Sequence, residues 1–401
     1  MSVDSRLERV VVRNFRSIGY CDVRLARLNY LVGQNGSGKS NFLDVMHFVR
    51  DALVGSLENA LNERGGISEV RRRSSGHPHH FGIRLEMSLS NGHRAVYAFE
   101  IGAKKGGSHT VQSEQCVIDG IGRGEFYVLK NGALTSHSDF PFPAVTADRL
   151  ALVALSGMQA FRPVFDHLTS MGFYNLNPKL IRELQLPQDG KLLKPAGENA
   201  ASVIGHLERH APESMANVHE YLKKIMPALQ SVSRERLGHM ETLEFRQSVV
   251  GAEHPWRFLA QNMSDGTLRA LGVLTALFQR NVDFAPTLIG IEEPETALHP
   301  AASAALREAL RVASESVQVL VTSHSPDLLD DPTLEEDALL AVTARDGETR
   351  VATLDTASRD AMKRHLFTAG ELLRLGQLVP DPDVLEAQSA RQADLFADAT
   401  D

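Results

Sequence analysis

The chain has 401 residues, enough for one large domain or two lobes, and its 43% hydrophobic and 23% charged content is that of a chain able to bury a sizeable core. With 42 basic against 50 acidic residues the net charge is −8, so any nucleic-acid contact has to come from a local patch. The two cysteines, Cys21 and Cys116, exclude a disulfide framework and a four-cysteine zinc site.

The opening Met1-Ser2-Val3-Asp4-Ser5-Arg6 lacks a basic-then-apolar secretion pattern. No apolar run reaches the roughly 18 residues of a membrane span, so a cytoplasmic protein with no membrane partner is expected. In chain order the first elements are two strand-like stretches, Arg9–Phe15 and Cys21–Val32. A glycine-rich turn at Gly33–Gly38 follows, then a helical pattern through Phe42, Leu43, Val45, Met46 and Val49. Basic residues cluster once, at Arg64 and Arg71-Arg72-Arg73. Such a run is either a solvated face or a DNA phosphate contact. His77-Pro78-His79-His80 reads as a polar loop, because no acidic or cysteine ligand is close in sequence.

From about 80 to 150 the pattern changes to period two, as in Phe81-Gly-Ile83-Arg-Leu85-Glu-Met87 and Ala95–Phe99. Asn91-Gly92 and Asn131-Gly132 sit between such runs and predict hairpins, hence an antiparallel β subdomain. Helical spacing returns from about 150 to 230, through Leu152, Leu155, Met158 and Phe161, then Val203, Ile204 and Leu207, then Val218, Tyr221, Leu222, Ile225 and Met226. After a strand signal near Thr242–Val249, the chain alternates helix and strand to about 324, the mark of a parallel sheet wrapped by helices. Beyond about 380 the acidic, alanine-rich tail is expected to be flexible, with Asp381-Pro382-Asp383 a surface turn. The expected division is an N-terminal lobe over 1–65, the β subdomain over 66–150, a mainly helical insert over 151–255, a C-terminal lobe over 256–356 and a helical and flexible acidic tail over 357–401.

Gly33-Gln34-Asn35-Gly36-Ser37-Gly38-Lys39-Ser40 fits G-x-x-x-x-G-K-[ST] in full and lies between an apolar strand and a helix, where a phosphate loop belongs. Glycines let successive N–H groups and the helix start face one anion. Lys39 would neutralise the β- and γ-phosphates of ATP, and the Ser40 hydroxyl would ligate Mg²⁺. The buried-strand pattern Thr287–Ile291 ends in Glu292-Glu293-Pro294-Glu295. Glu292 is assigned to the metal and Glu293 to the general base that polarises water. Ser264 is a candidate helix N-cap whose helix end could bind another phosphate. Val319–Ser323 is a further buried strand, with His324 at its end.

Asn14-Phe15-Arg16-Ser17-Ile18, Gly33–Asn41, Ser264-Asp265-Gly266-Thr267, Ile291–Pro300 and Thr322–Pro326, taken in order, resemble the ATP-binding-cassette-type ATPases of the RecF/SMC and OLD group, AAA-family ATPases often found in bacterial phage-defence loci. The resemblance implies an α/β P-loop ATPase head with a mixed or parallel sheet, carrying the antiparallel β subdomain and the helical insert. It implies that Asn41 belongs to the nucleotide site, that Ser264 and Gly266 complete the ATP site of an opposite subunit, that His324 contacts the γ-phosphate and that Glu295–His299 crosses the dimer interface. Two ATP molecules would then be sandwiched in a head-to-tail homodimer, with higher oligomers open. The usual metal-sensing glutamine has no clear counterpart beyond Gln159. The Asn41–Met263 interval, with Gly and Pro throughout, excludes a long coiled-coil arm within it, and the stretch of this sequence after His324 is too short for a Toprim nuclease domain, so any nuclease is expected on a separate effector chain.

Gln392-Ala393-Asp394-Leu395-Phe396 resembles the pentapeptide with which bacterial replication and repair proteins dock on the sliding clamp. Two readings stay open: docking on the clamp, or Leu395 and Phe396 packing back on the body. The expected function is an ATP-hydrolysing switch acting with DNA or an effector in phage defence or DNA repair. The alternatives are an ATP-binding regulator that holds a toxin or nuclease, and the energy-coupling subunit of a transporter.

Overall fold

The computed structural model describes residues 5–74, 78–119, 124–280, 285–390, 392 and 394–397. Its strands, in chain order, begin with β1 (Arg6–Phe15), β2 (Ile18–Arg24), β3 (Leu28–Val32), β4 (His80–Ser88), β5 (Arg94–Ala103), β6 (His109–Ile118), β7 (Phe126–Lys130) and β8 (Ala133–His137). Then come β9 (Gly172–Tyr174), β10 (Leu229–Leu237), β11 (Met240–Gln247), β12 (Trp256–Leu259), β13 (Leu288–Glu292), β14 (Gln318–Ser323), β15 (Leu339–Arg345) and β16 (Glu348–Thr353). The chain divides into two compact units. One comprises 1–171, 335–367 and 375–401; the other comprises 172–334 and 368–374.

In the first unit the strands run β8-β7-β6-β5-β4-β1-β2-β16-β15-β3. The pairs from β8 to β2 are antiparallel, whereas β16 lies parallel to β2 and β15 parallel to β3. The sheet is thus mixed, and the antiparallel region expected over 80–150 grows directly from β1 through β4. Both Asn-Gly hairpins form. Asn131 and Gly132 have φ of 52° and 73°, the doubly left-handed turn that suits a two-residue connection. The helix Lys39–Val54 buries Phe42, Leu43, Val45, Met46, Phe48 and Val49. Phe48 meets Phe15 and Phe81 edge-on, at ring separations of 5.6 and 5.5 Å, which fixes this helix against β1 and β4. The fully buried Glu114 accepts from the Tyr97 and Tyr127 hydroxyls and from the N–H groups of Ala151 and Leu152, so it caps the helix Ala151–Leu155 from within.

In the second unit β14, β13 and β9 form a parallel set, and β10, β11 and β12 form a separate antiparallel sheet. The helix Asp265–Phe278 is buried along every residue from Leu268 onward. The helices Ala200–His210, Pro212–Ile225 and Ser303–Ser314 also belong to this unit, and Tyr221 stacks on Phe278 at 5.5 Å. The alternation of helix and strand up to residue 324 is as expected.

Three local expectations change. The stretch Cys21–Val32 is two strands, because the chain turns at Leu25–Arg27, where the buried Asn29 side chain accepts from the Ala26 N–H. The insert holds β9 and β10 as well as its helices, while β11 falls on the strand signal near Thr242–Val249. The tail is not loose throughout: residues 382–390 are helical, and the buried Asp381 carboxylate, paired with Arg359 at 2.9 Å, accepts from the Asp383 N–H. Asp381-Pro382-Asp383 is therefore a helix start, not a surface turn. No described helix is long and apolar enough to cross a membrane.

Candidate functional site

The phosphate loop lies in the first unit, between β3 and the helix Lys39–Val54. Gly36 and Gly38 have φ of 77° and 100°, left-handed values that disfavour any side chain. Gly38 occupies the N-cap of the 16-residue helix, no side chain caps that end, and its first turn holds no acidic residue. The first N–H groups and the positive end of the helix dipole are thus left for an anion. Lys39 is buried, and its Nζ donates to the carbonyls of Gly33 at 2.8 Å and Gln34 at 3.0 Å. The loop thereby folds around the Lys39 cation. Ser37 Oγ is buried without a hydrogen-bond partner among the described residues. Gln34, Asn35, Gly36 and Ser40 are exposed. This donor set fits a polyphosphate, and Ser40, in the first helical turn, is suited to hold Mg²⁺.

Residues far away in sequence brace the loop. Thr349, on β16, donates from Oγ1 to the Ser37 carbonyl at 3.0 Å and from its N–H to the Ser17 carbonyl at 2.8 Å. Ser17 Oγ lies 2.7 Å from Thr349 Oγ1 and accepts from Asn41 Nδ2 at 2.6 Å. Arg16 pairs with Asp44 on the same helix as Asn41, at 2.7 Å. The Asn14–Ile18 segment is therefore a clasp on the loop and its helix.

The carboxylates, the helix Asp265–Phe278 and His324 belong to the second unit. Glu292 ends β13, and Glu293 follows in a left-handed conformation with φ of 43°. The Glu293 N–H donates to the Thr322 carbonyl at 3.0 Å, and its Oε1 lies 3.2 Å from His324 Nδ1. The residues assigned as base and γ-phosphate contact thus meet, both partly open to solvent. Glu295 opens the segment Glu295–His299. It is 8% exposed, accepts from Ser323 Oγ at 2.6 Å, and burial pushes its carboxyl above the ordinary range. Ser264 does cap its helix, accepting from the Thr267 N–H at 3.2 Å. Arg182 bridges the Met263 carbonyl and the Asp265 carboxylate beside it.

Arg269 and Thr349 were not singled out by the sequence reading. Arg269 is 9% exposed and donates to the carbonyls of Leu176 at 2.8 Å, Glu292 at 3.2 Å and Glu293 at 3.1 Å. Burial pushes its guanidinium below the ordinary value, against the pull of Glu295, Glu293 and Glu292. The available signal was compositional: Arg269 is the one charged residue in Leu268–Phe278.

Other candidates are placed elsewhere. Arg71 donates to the Pro78 carbonyl, Arg72 pairs with Glu348 at 3.1 Å, and Arg73, its side chain exposed, pairs with Glu69. Arg64 is bound by Asp44 and Asp51 over the Phe48 ring. Gln159 is exposed in a turn. His77 lies outside the described residues, and no metal-holding group of three His, Cys, Asp or Glu occurs among the described residues. Of the pentapeptide, Ala393 also lies outside the described residues, and Gln392 is exposed. Leu395 is 1% exposed against Val11 and Tyr20, with Phe396 packed beside it and Arg84 donating to the Leu395 and Ala397 carbonyls. Of the two readings of Leu395 and Phe396, this is packing on the body.

A family profile described as an AAA domain, putative AbiEii toxin of a type IV toxin–antitoxin system, matches residues 28–140 and 212–330, which include the phosphate loop, Ser264–Thr267, the carboxylates and His324. Among solved structures, an SMC head bound to the C-terminal winged-helix domain of ScpA is similar at 14% identity and a TM-score of 0.56, over 88% of this chain and 99% of that one. An SMC head with an extended coiled coil from Pyrococcus furiosus, bound to the C-terminal domain of ScpA, is similar at 14% identity and a TM-score of 0.53, over 90% and 99%. These likenesses show the fold. No curated protein matches the chain.

Proposed function

The chain belongs to the AAA-domain family described by the putative AbiEii toxin of type IV toxin–antitoxin systems, and from that premise we propose that it binds and hydrolyses ATP as a switch. Lys39 and the open start of its helix take the β- and γ-phosphates. Ser40 and Glu292 are the residues that would serve Mg²⁺, which would offset phosphate charge when bound. Glu293 takes the proton of the attacking water, and His324, against its Oε1, orients it. Ser264 and Gly266 close on the ATP of a second copy, giving a homodimer that assembles on ATP and comes apart after hydrolysis. The output is passed to DNA or to a separate effector chain, in phage defence or DNA repair. The observation that carries this reading is the uncapped 16-residue helix start behind Gly36 and Gly38, with Lys39 at its mouth.

A second reading is an ATP-binding regulator with little turnover that holds a toxin or nuclease partner. It is favoured by the contacts that already engage both key side chains, Lys39 with its own loop and Glu293 with His324. Steady-state hydrolysis with and without double-stranded DNA separates the two. Turnover lost in Lys39→Ala together with ATP binding, and lost in Glu293→Gln with binding kept, is the result expected of the switch. Wild-type protein that binds ATP and releases no phosphate would establish the regulator instead.

A further inference from the structure

We propose that Arg269 is a positioning residue that holds the Glu292–Glu293 backbone in the shape hydrolysis requires, and so ties the helix carrying Ser264 and Gly266 to the base. The proposal rests on the hydrolysis reading above. Its geometric root is the left-handed φ of 43° at Glu293, which a glutamate does not adopt unaided. That conformation is held from two sides. The Glu293 N–H goes to the Thr322 carbonyl of β14, and the Glu292 and Glu293 carbonyls both go to Arg269 Nη2, at 3.2 and 3.1 Å. One guanidinium nitrogen carries two N–H bonds, so a single atom meets both carbonyls, while Nη1 is anchored on Leu176 at 2.8 Å. With the peptide fixed on either side, the Glu293 side chain is directed toward His324.

The same helix touches this segment at a second place. Gly266 lies three residues before Arg269, on the same helix face, and a side chain at Gly266 would collide with the carbonyl of Ala297, itself left-handed at φ of 65°. The helix therefore contacts the carboxylate segment through Arg269 at one end and Gly266 at the other. Engagement of Ser264 and Gly266 by a second copy's nucleotide would be felt at Glu293 through a buried, directional contact. Lysine cannot replace it, because an ammonium lacks the planar fork that spans three carbonyls.

The test compares full-length wild type, Arg269→Lys and Arg269→Ala in kcat and KM for ATP, equilibrium binding of a fluorescent ATP analogue, and thermal unfolding. Positioning predicts that kcat falls by on the order of tenfold or more. KM and analogue binding should stay within about twofold, and ethylguanidinium should restore part of the kcat of Arg269→Ala. A kcat within about twofold of wild type in folded Arg269→Lys would overturn the proposal alone. Loss of the folded state even in Arg269→Lys would overturn it too, making the residue a structural one. Wild-type protein without turnover would instead remove the hydrolysis reading, and this proposal with it.

Discussion

His167, in the helix Arg162–Thr169, is 3% exposed, and burial alone pushes its imidazole from 6.5 down to about 4. Folded protein therefore keeps it neutral at pH 7, with Nδ1 2.6 Å from Ser5 Oγ. The unfolded chain takes up a proton near pH 6.5 that the fold refuses. Stability from this group is thus complete above that pH and is lost as pH falls toward 4, by up to about 3 kcal/mol. Urea unfolding at pH 7 and pH 4.5 should show a smaller acid loss in His167→Gln than in wild type. Equal losses would mean that the ring is protonated in the fold. At this scale legibility depends on distance along the chain. Lys39 and Ser40 could be read because the loop they serve is contiguous. Arg269 meets carbonyls 23 to 93 residues away, and Thr349 meets Ser37 from 312 residues away. No spacing rule encodes such pairs.

Elements with a strong local signal were legible: the phosphate-loop helix and β13 and β14, which Glu292 ends and His324 follows, by their apolar runs, and the hairpins by their Asn-Gly turns. Those that depend on tertiary partners were not. β9 is three residues long and pairs with β13 alone among the described strands, and β10, which buries only Leu229 and Val232, is held by its ladder with β11. The C-terminal segment is the clearest case. Its composition reads as solvated, yet Gln388 donates to the Asp22 and Val351 carbonyls, and Leu395 fills a site against Val11 and Tyr20. A few anchors hold what average hydropathy would release. Leu395→Ala should therefore cost about 2–4 kcal/mol, since a buried leucine leaves a cavity, and should make the C-terminus more sensitive to protease. Unchanged unfolding and proteolysis would show that the segment is not seated. The same burial bears on clamp docking, because the Leu395 side chain would have to leave the body before a partner could take it.

For the whole molecule, the phosphate loop falls in one compact unit, and the carboxylates and Ser264 helix in the other. In the proposed head-to-tail pair, Ser264 and Gly266 of one copy would meet the phosphate loop of a second, as two unlike surfaces can. The chain carries its own reporter of such pairing. Trp256, its single tryptophan, is 56% exposed on the edge strand β12, opposite Gln247 in register. The Gln247 side chain in turn reaches Met263 Sδ at 3.4 Å, next to Ser264. If ATP draws Ser264 and Gly266 onto a second copy, the indole, linked to them through Gln247 and Met263, is expected to lose water. Glu293→Gln with ATP and Mg²⁺ should then sediment at twice the monomer mass and shift its tryptophan emission to shorter wavelength, whereas Lys39→Ala should do neither. A doubled mass with unmoved emission would put the dimer contact on another face. An emission shift at monomer mass would mean that nucleotide acts on the Ser264 region within one copy, and the sandwich would have to be given up.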